Sequence, residues 1–154
     1  ARDHEPRADM VATALSALPA MAVLAVWAAR TALIVWLVNR PRETHLPSLL
    51  LATPVALAGL AAMLLTTDDD GSAAAYVSFA GGILVWGWHE LAFLTGVVSG
   101  PRKSLADPTA TGWRRFREAA ATVIHHEVAL AATLAALALL TWDSTNATGT
   151  LAFA

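Results

Sequence analysis

Two otherwise apolar stretches of the chain carry histidine and glutamate side by side. One stretch contains His89 and Glu90, and the other contains His125, His126 and Glu127. Neutral imidazole binds metal ions and the central metal of tetrapyrroles, and buried His and Glu side chains form proton relays in membranes. These residue types in this setting therefore point to ligand binding or proton transfer, beside a purely structural hydrogen-bond network.

Two interpretations need only the imidazoles and one neighbour. In the first, the polar side chains hydrogen-bond to each other and hold two helices in register. In the second, His89, His125 and His126 are cofactor-binding residues, and an imidazole among them ligates a haem or a chlorin. Ala121 lies four residues before His125, so a small side chain one helical turn away leaves room for a flat ring.

Two further interpretations need the carboxylates as well. In one, the groups form a non-haem metal site, with candidate ligands His89, Glu90, His126 and Glu127. Di-iron helical bundles place Glu and His three residues apart on one face, whereas here the two residue types are adjacent. In the other interpretation, the groups form a path for protons or ions.

The composition of the chain sets the environment of these residues. Of 154 residues, 56% are hydrophobic and only 14% are charged, and the mean hydropathy is +0.55. Soluble domains have about a quarter charged residues, so the composition predicts a membrane protein. The absence of cysteine excludes disulfides, thiolate metal sites and thiol nucleophiles. The first nine residues lack a basic signal-peptide region, and we expect the chain to begin inside a longer gene product.

Four segments are long and apolar enough to cross the hydrocarbon, which takes about 20 residues of helix. They cover residues 18–38, 46–66, 73–98 and 119–142. We therefore predict an all-α integral membrane protein, with four transmembrane helices in two hairpins that form a single domain over residues 1–154. The apolar tail GTLAFA has the composition expected at the start of a fifth span.

The charges of the loops predict the orientation of the chain. The loops at 39–45 and 99–118 contain seven of the ten Lys and Arg residues, and such loops stay in the cytoplasm. The N-terminus is then periplasmic. Arg30 falls in the first apolar segment, either near its end or near its middle. The basic, aromatic loop predicts contacts with lipid headgroups or a partner protein, made by Arg102, Trp113, Arg114 and Arg115. Nothing in the sequence indicates nucleic-acid binding.

The five ionisable groups are expected to share one layer of the membrane. His89 lies about nine residues before the cytoplasmic end of the third predicted span. His125 to Glu127 lie about six to eight residues after the cytoplasmic end of the fourth, so all lie roughly 10–14 Å deep. A charge at that depth costs about 3 kcal/mol or more, so these groups should face protein, water or a cofactor. Adjacent helical positions diverge by about 100°, so all three consecutive groups cannot point one way. We expect Glu90 to accept a hydrogen bond from the fourth span, or Glu127 to accept one from His89.

Three stretches of the sequence carry a family resemblance. The runs VWGWHELAFLTGVVSGPRK and TGWRRFREAAATVIHHEVALA resemble the photosynthetic complex assembly protein 2 family (PuhE) of anoxygenic phototrophic bacteria, and TALIVWLVNRPRETHLPSLLLAT is also similar. The resemblance covers about residues 20–154 and implies an integral membrane protein encoded with reaction-centre genes. Members of that family continue through further membrane spans, so we expect this chain to match the N-terminal part of a longer architecture.

The resemblance also implies a function. The chain is expected to be a non-enzymatic component of the photosynthetic apparatus of purple bacteria, in the inner (intracytoplasmic) membrane. It would assist assembly of the reaction centre–light-harvesting complex, or reside in it, through contacts with lipids, helices of its subunits and bacteriochlorophyll or another tetrapyrrole. No catalytic residue is assigned. The alternative is a membrane metal enzyme that acts on a tetrapyrrole or a quinone through the His/Glu site.

Overall fold

The fold is entirely helical over the part of the chain that the structure describes. The computed structural model describes residues 5–104 and 107–154, and it describes side chains from residue 17 onward. Four helices are long and apolar enough to cross a membrane, so the predicted all-α membrane architecture is confirmed. The helices are α1 (Glu5–Val38), α2 (His45–Leu65), α3 (Ser72–Leu94), α4 (Gly112–Leu140) and the short α5 (Thr148–Phe153), with a 3-10 turn at Arg42–Thr44.

Backbone contacts divide the chain into two compact units, Ala1–Leu33 and Ile34–Ala154. In the first unit, Arg30 lies inside the candidate span Ala17–Val38, and its Nη2 donates a hydrogen bond to Thr31 Oγ1 at 3.5 Å. α1 is continuous from Glu5 to Val38 and accommodates either predicted position of the span, so the depth of Arg30 stays a prediction. The predicted periplasmic end, residues 1–4, lies outside the described residues, so its location stays a prediction.

Two predicted spans have different ends in the structure. α3 ends at Leu94 rather than Val98, because Gly96 has a φ of 75° and its left-handed backbone stops the helix. α4 begins at Gly112 rather than Ala119, because a charged first segment is also helical, supported by an ion pair between Arg114 and Glu118 four residues apart. The predicted span 18–38 lies within α1, and the predicted span 46–66 matches α2 to within one residue at each end.

α2 and α3 pack against each other where two glycines meet. A Cβ atom added to Gly59 would lie 2.9 Å from the carbonyl oxygen of Gly81, and one added to Gly81 would overlap the carbonyl oxygen of Gly59. Nearer to the loops at 39–45 and 99–118, Trp88 Nε1 donates a hydrogen bond to Thr53 Oγ1 at 3.0 Å. In lipid, close van der Waals packing and such polar contacts hold helices together, because lipid is as apolar as the helices.

α5 packs along the neighbouring face of α3. The amide of Gly149 donates a hydrogen bond to Ser78 Oγ at 2.9 Å, and the carbonyl of Gly149 lies against Gly82, where no Cβ fits. Farther along, Phe153 joins a buried cluster that also contains Met63, Val85 and Leu137. The apolar tail is helical from Thr148 to Phe153 and packs onto the core, and the expectation that it begins a fifth span stays a prediction.

Asn146 ties the start of α5 to the end of α2. Its amide nitrogen donates a hydrogen bond to Thr67 O, and its Nδ2 donates one to Thr66 O, both at 3.0 Å. The last carbonyls of a helix have no partner within the helix, and here Thr66 O also accepts from the amide of Asp69 and Thr67 O from Thr145 Oγ1. Asn146 is 5% exposed and therefore acts as a buried connector.

The contact between α2 and α3 predicts the effect of one added methyl group. The substitution Gly81→Ala should lower the free energy of unfolding in mild detergent by about 1–3 kcal/mol, because the new Cβ overlaps backbone atoms of α2. Ala80→Val adds volume on the exposed side of the same turn and serves as the control. An equal effect of both substitutions on unfolding would contradict the close contact.

Candidate functional site

His89 is buried where α3, α4 and α5 meet. Its side chain is 7% exposed, and its Nε2 is hydrogen-bonded to Thr133 Oγ1 of α4 at 3.0 Å. The ring lies edge-on to Phe153 of α5, with centroids 5.7 Å apart, and edge-on to Trp88, with centroids 5.2 Å apart. His89 therefore links three helices, which is the structural role that a buried polar group often has in membranes.

His126 is the second buried imidazole and packs on the same side of α3. Its ring stacks on Phe93 with centroids 4.3 Å apart and an angle of 19° between the ring planes. His126 is 9% exposed, and its Nδ1 is buried without a hydrogen-bond partner among the described residues. Phe93 lies four residues, about one helical turn, after His89, so the two imidazoles pack at neighbouring levels on one side of α3.

The other three ionisable residues of the predicted layer do not join this buried pair as a cluster. His125 and Glu127 are exposed, and Glu90 is half-buried. Glu127 does not pair with His89 as one expectation had it, because the helix turns Glu127 outward and Thr133 takes its place. Among the described residues, no three His, Asp or Glu side chains lie close enough together to hold one metal ion.

A loop presses against α4 directly beside the two histidines. The amide of His126 donates a hydrogen bond to Ser99 O at 2.9 Å, and the amide of Arg102 donates one to Ala121 O at 2.9 Å. In a regular α-helix each amide donates to the carbonyl oxygen four residues earlier. The bond from the His126 amide to Ser99 O therefore requires a local distortion of the α4 backbone. Gly100 lies on the backbone at Ala121, where an added Cβ would overlap the carbonyl oxygen. This loop therefore helps to position His126.

Ion pairs fasten the same loop to the beginning of α4. Glu118 accepts hydrogen bonds from Arg102 at 3.0 Å and from Arg114 at 3.2 Å, and Arg114 also pairs with Asp107 at 2.6 Å. Hydrogen bonds from the hydroxyl and amide of Thr109 lower the pKa of Asp107 below its ordinary value, and the nearby Arg114 lowers it further. Asp107 therefore stays ionised at neutral pH and keeps its contact with Arg114.

The remaining residues predicted to contact lipid or a partner lie on the surface. Trp113 is 70% exposed and stacks on Phe116 with ring centroids 4.9 Å apart. Arg115 is exposed, and no described carboxylate pairs with it. Indole and guanidinium groups at the start of a span are typical of the membrane interface. The surface position agrees with the predicted contacts without identifying what is contacted.

Sequence reasoning missed the partners of both buried histidines. Thr133 follows His126 by seven residues, which is two helical turns, so a polar residue on the same face of an apolar helix was an available signal. Phe153 had no such signal, because its contact with His89 depends on how the chain returns after α4. Gly100 belongs to the Gly-Pro-Arg segment. No local sequence pattern indicates that this segment packs against α4.

The chain is similar to known proteins along almost its whole length. A family model described as "Protein of unknown function (DUF3623)" matches residues 13–154. A protein of Rhodobacter capsulatus, described as "Uncharacterized 30.4 kDa protein in puhA 5'region", is 36% identical over 141 residues, which are 89% of this chain and 52% of that protein. The chain thus spans about half the length of this curated relative. No solved structure matches the chain.

The loop beside His126 predicts the effect of a substitution at Gly100. Gly100→Ala should increase the hydrogen-exchange rates of the amides of Arg102 and His126, because the added Cβ forces the loop away from α4. We expect a loss of about 1–3 kcal/mol in the stability of this contact. The neighbouring and exposed Pro101→Ala is the control. Unchanged exchange at both amides in Gly100→Ala would contradict the assignment.

The hydrogen bond between His89 and Thr133 gives a separate prediction. Thr133→Val keeps the shape of the side chain but removes the hydroxyl, and it should cost roughly 0.5–1.5 kcal/mol of stability. Thr133→Ser keeps the hydroxyl and should retain most of that stability. Denaturation of the two variants in mixed detergent micelles measures the difference. Equal stability of the Val and wild-type proteins would show that this bond contributes nothing.

Proposed function

The chain belongs to the DUF3623 family, and from this membership we propose that it is a component of the bacterial photosynthetic apparatus, assisting assembly of the reaction centre–light-harvesting complex or residing in it. The description of the relative in Rhodobacter capsulatus places it beside puhA, which suggests a photosynthesis gene cluster. The resemblance of the sequence to the PuhE family supports the same assignment. The four apolar helices agree with an integral membrane component.

The exposed face of α4 is the observation that carries this proposal. His125 and Glu127 lie at the two edges of this exposed surface, about 160° apart around the helix axis, within residues 119–140 of α4, which carry no other charged side chain and are long enough to span a membrane. An ionised side chain that faces acyl chains costs about 3 kcal/mol or more, so these groups require a polar cover. A helix of another subunit or a pigment supplies such a cover, and the neighbouring Val128, which is 59% exposed, extends the contact surface.

His125 is the residue best suited to contact a pigment. Ala121 and Ala129 lie one turn to either side of it, and their small side chains leave space for a flat macrocycle. Bacteriochlorophyll, when bound, would supply light absorption and a central metal that accepts an imidazole nitrogen. His89 is less suited, because Thr133 already bonds its Nε2. His126 is buried against Phe93 and is placed to orient α4 rather than to face outward.

The proposed location is the inner, intracytoplasmic membrane, with the basic loops at 39–45 and 99–118 on the cytoplasmic side. The surfaces that would meet lipids and other subunits include Trp113 and Arg115. The alternative of a membrane metal enzyme has no observation in its favour, because the described residues bring no three potential ligands to one point.

The proposal predicts the phenotype of a double substitution. His125→Gln combined with Glu127→Gln, introduced into the phototrophic host, should lower the near-infrared absorption of the assembled complexes several-fold while the variant protein accumulates normally. Both residues are exposed, so the fold should persist. Thr133→Val, which loosens the helix contact but leaves the exposed face intact, is the matched control.

Normal absorption at normal protein levels in the double variant would contradict the proposal. Purification of the wild-type complex distinguishes the two forms of the proposal. A stoichiometric amount of the chain in the mature complex identifies a resident subunit, whereas its presence in precursors alone identifies an assembly factor.

A further inference from the structure

A groove of about 590 Å³ opens beside the first turns of α4. Arginine side chains line one part of it, and apolar side chains line the other. Arg114 and Arg117 are three residues apart on the helix, so their Cβ atoms are about 5–6 Å apart and both side chains reach the same space. Arg102 enters from the loop, and Phe116 and Ala120 complete the walls.

The charges of this groove do not cancel. Arg102 and Arg114 are held in place by Glu118, and Arg114 is held by Asp107 as well. No described carboxylate pairs with Arg117, which leaves three guanidinium groups facing two carboxylates. Arg114 is already held by two carboxylates, so it loses little entropy when an anion binds. Guanidinium groups also match the geometry of phosphate oxygens.

The groove lies where the charged part of α4 gives way to its apolar part. Phe116 is 59% exposed and stacks on the exposed Trp113, a residue type that favours the headgroup region. The next positions, Ala120 and Ala121, belong to the apolar span and extend the groove along the helix. A molecule that fills the whole groove must therefore have an anionic head and an apolar body.

We propose that this groove binds an anionic phospholipid. The phosphate lies between Arg114 and Arg117, and the start of an acyl chain lies along Phe116 and Ala120. Asp107 and Glu118 act as positioning residues, since both accept hydrogen bonds from Arg114 and orient its side chain. The phosphate position at Arg114 and Arg117 lies two to three helical turns before His125, and the proposal does not depend on the photosynthetic role.

Competition between two lipids in nanodiscs tests the proposal. The chain is reconstituted in equal amounts of phosphatidylglycerol and phosphatidylcholine, stripped with neutral detergent, and its retained lipids are quantified by mass spectrometry. The double substitution Arg114→Gln/Arg117→Gln should reduce the preference for phosphatidylglycerol roughly tenfold. Arg40→Gln/Arg42→Gln removes the same charge from the other basic loop and should leave the preference intact.

A third variant tests the apolar end without changing any charge. Ala120→Leu should fill the groove and release the lipid, and size-exclusion chromatography confirms that each variant remains folded. An equal loss of preference for phosphatidylglycerol in both arginine double variants would overturn the proposal, because it would indicate diffuse attraction of anionic lipid to the basic loops. Unchanged retention in Ala120→Leu, or full displacement of the lipid by excess inorganic phosphate, would overturn a phospholipid as the occupant.

Discussion

Consecutive residues of an α-helix point about 100° apart, and this rotation governs the arrangement of the ionisable groups in the molecule. His125, His126 and Glu127 are consecutive, so one neighbouring helix cannot cover all three. α3 covers His126 through Phe93 and leaves the other two exposed on the two flanks of α4. Because lipid does not solvate ionised groups, the helix that buries one histidine also creates a surface that needs a further partner.

The burial of His126 depends on close packing on two neighbouring faces of α3. Glycines bring α2 and α5 within backbone contact of α3, and the short α5 places Phe153 against His89. The loop at 99–102 presses on α4 and bonds the amide of His126. These contacts involve backbone atoms, which cannot move aside as a flexible side chain does. The two histidines of the buried pair are therefore held rigidly, whereas His125 remains available to a molecule outside the unit.

The sequence was sufficient for the architecture and for the identity of the unusual residues, because apolar length and buried charge are both local properties. It was insufficient for the register between α3 and α4, which decides that Thr133, rather than Glu127, reaches His89. The end of α3 depends on the left-handed backbone of Gly96. The early start of α4 depends on an ion pair, which a hydropathy profile does not detect. The contact of Phe153 required the path of the whole chain.

The central claim is that a protein or pigment partner covers the face of α4 that carries His125 and Glu127. A photoreactive benzophenone side chain at Val128, which is 59% exposed and one turn from His125, samples that face while leaving both ionisable groups in place. Irradiation of phototrophic membranes followed by mass spectrometry should identify adducts with a subunit or a pigment of the photosynthetic complex. Adducts with lipid acyl chains alone would contradict the account.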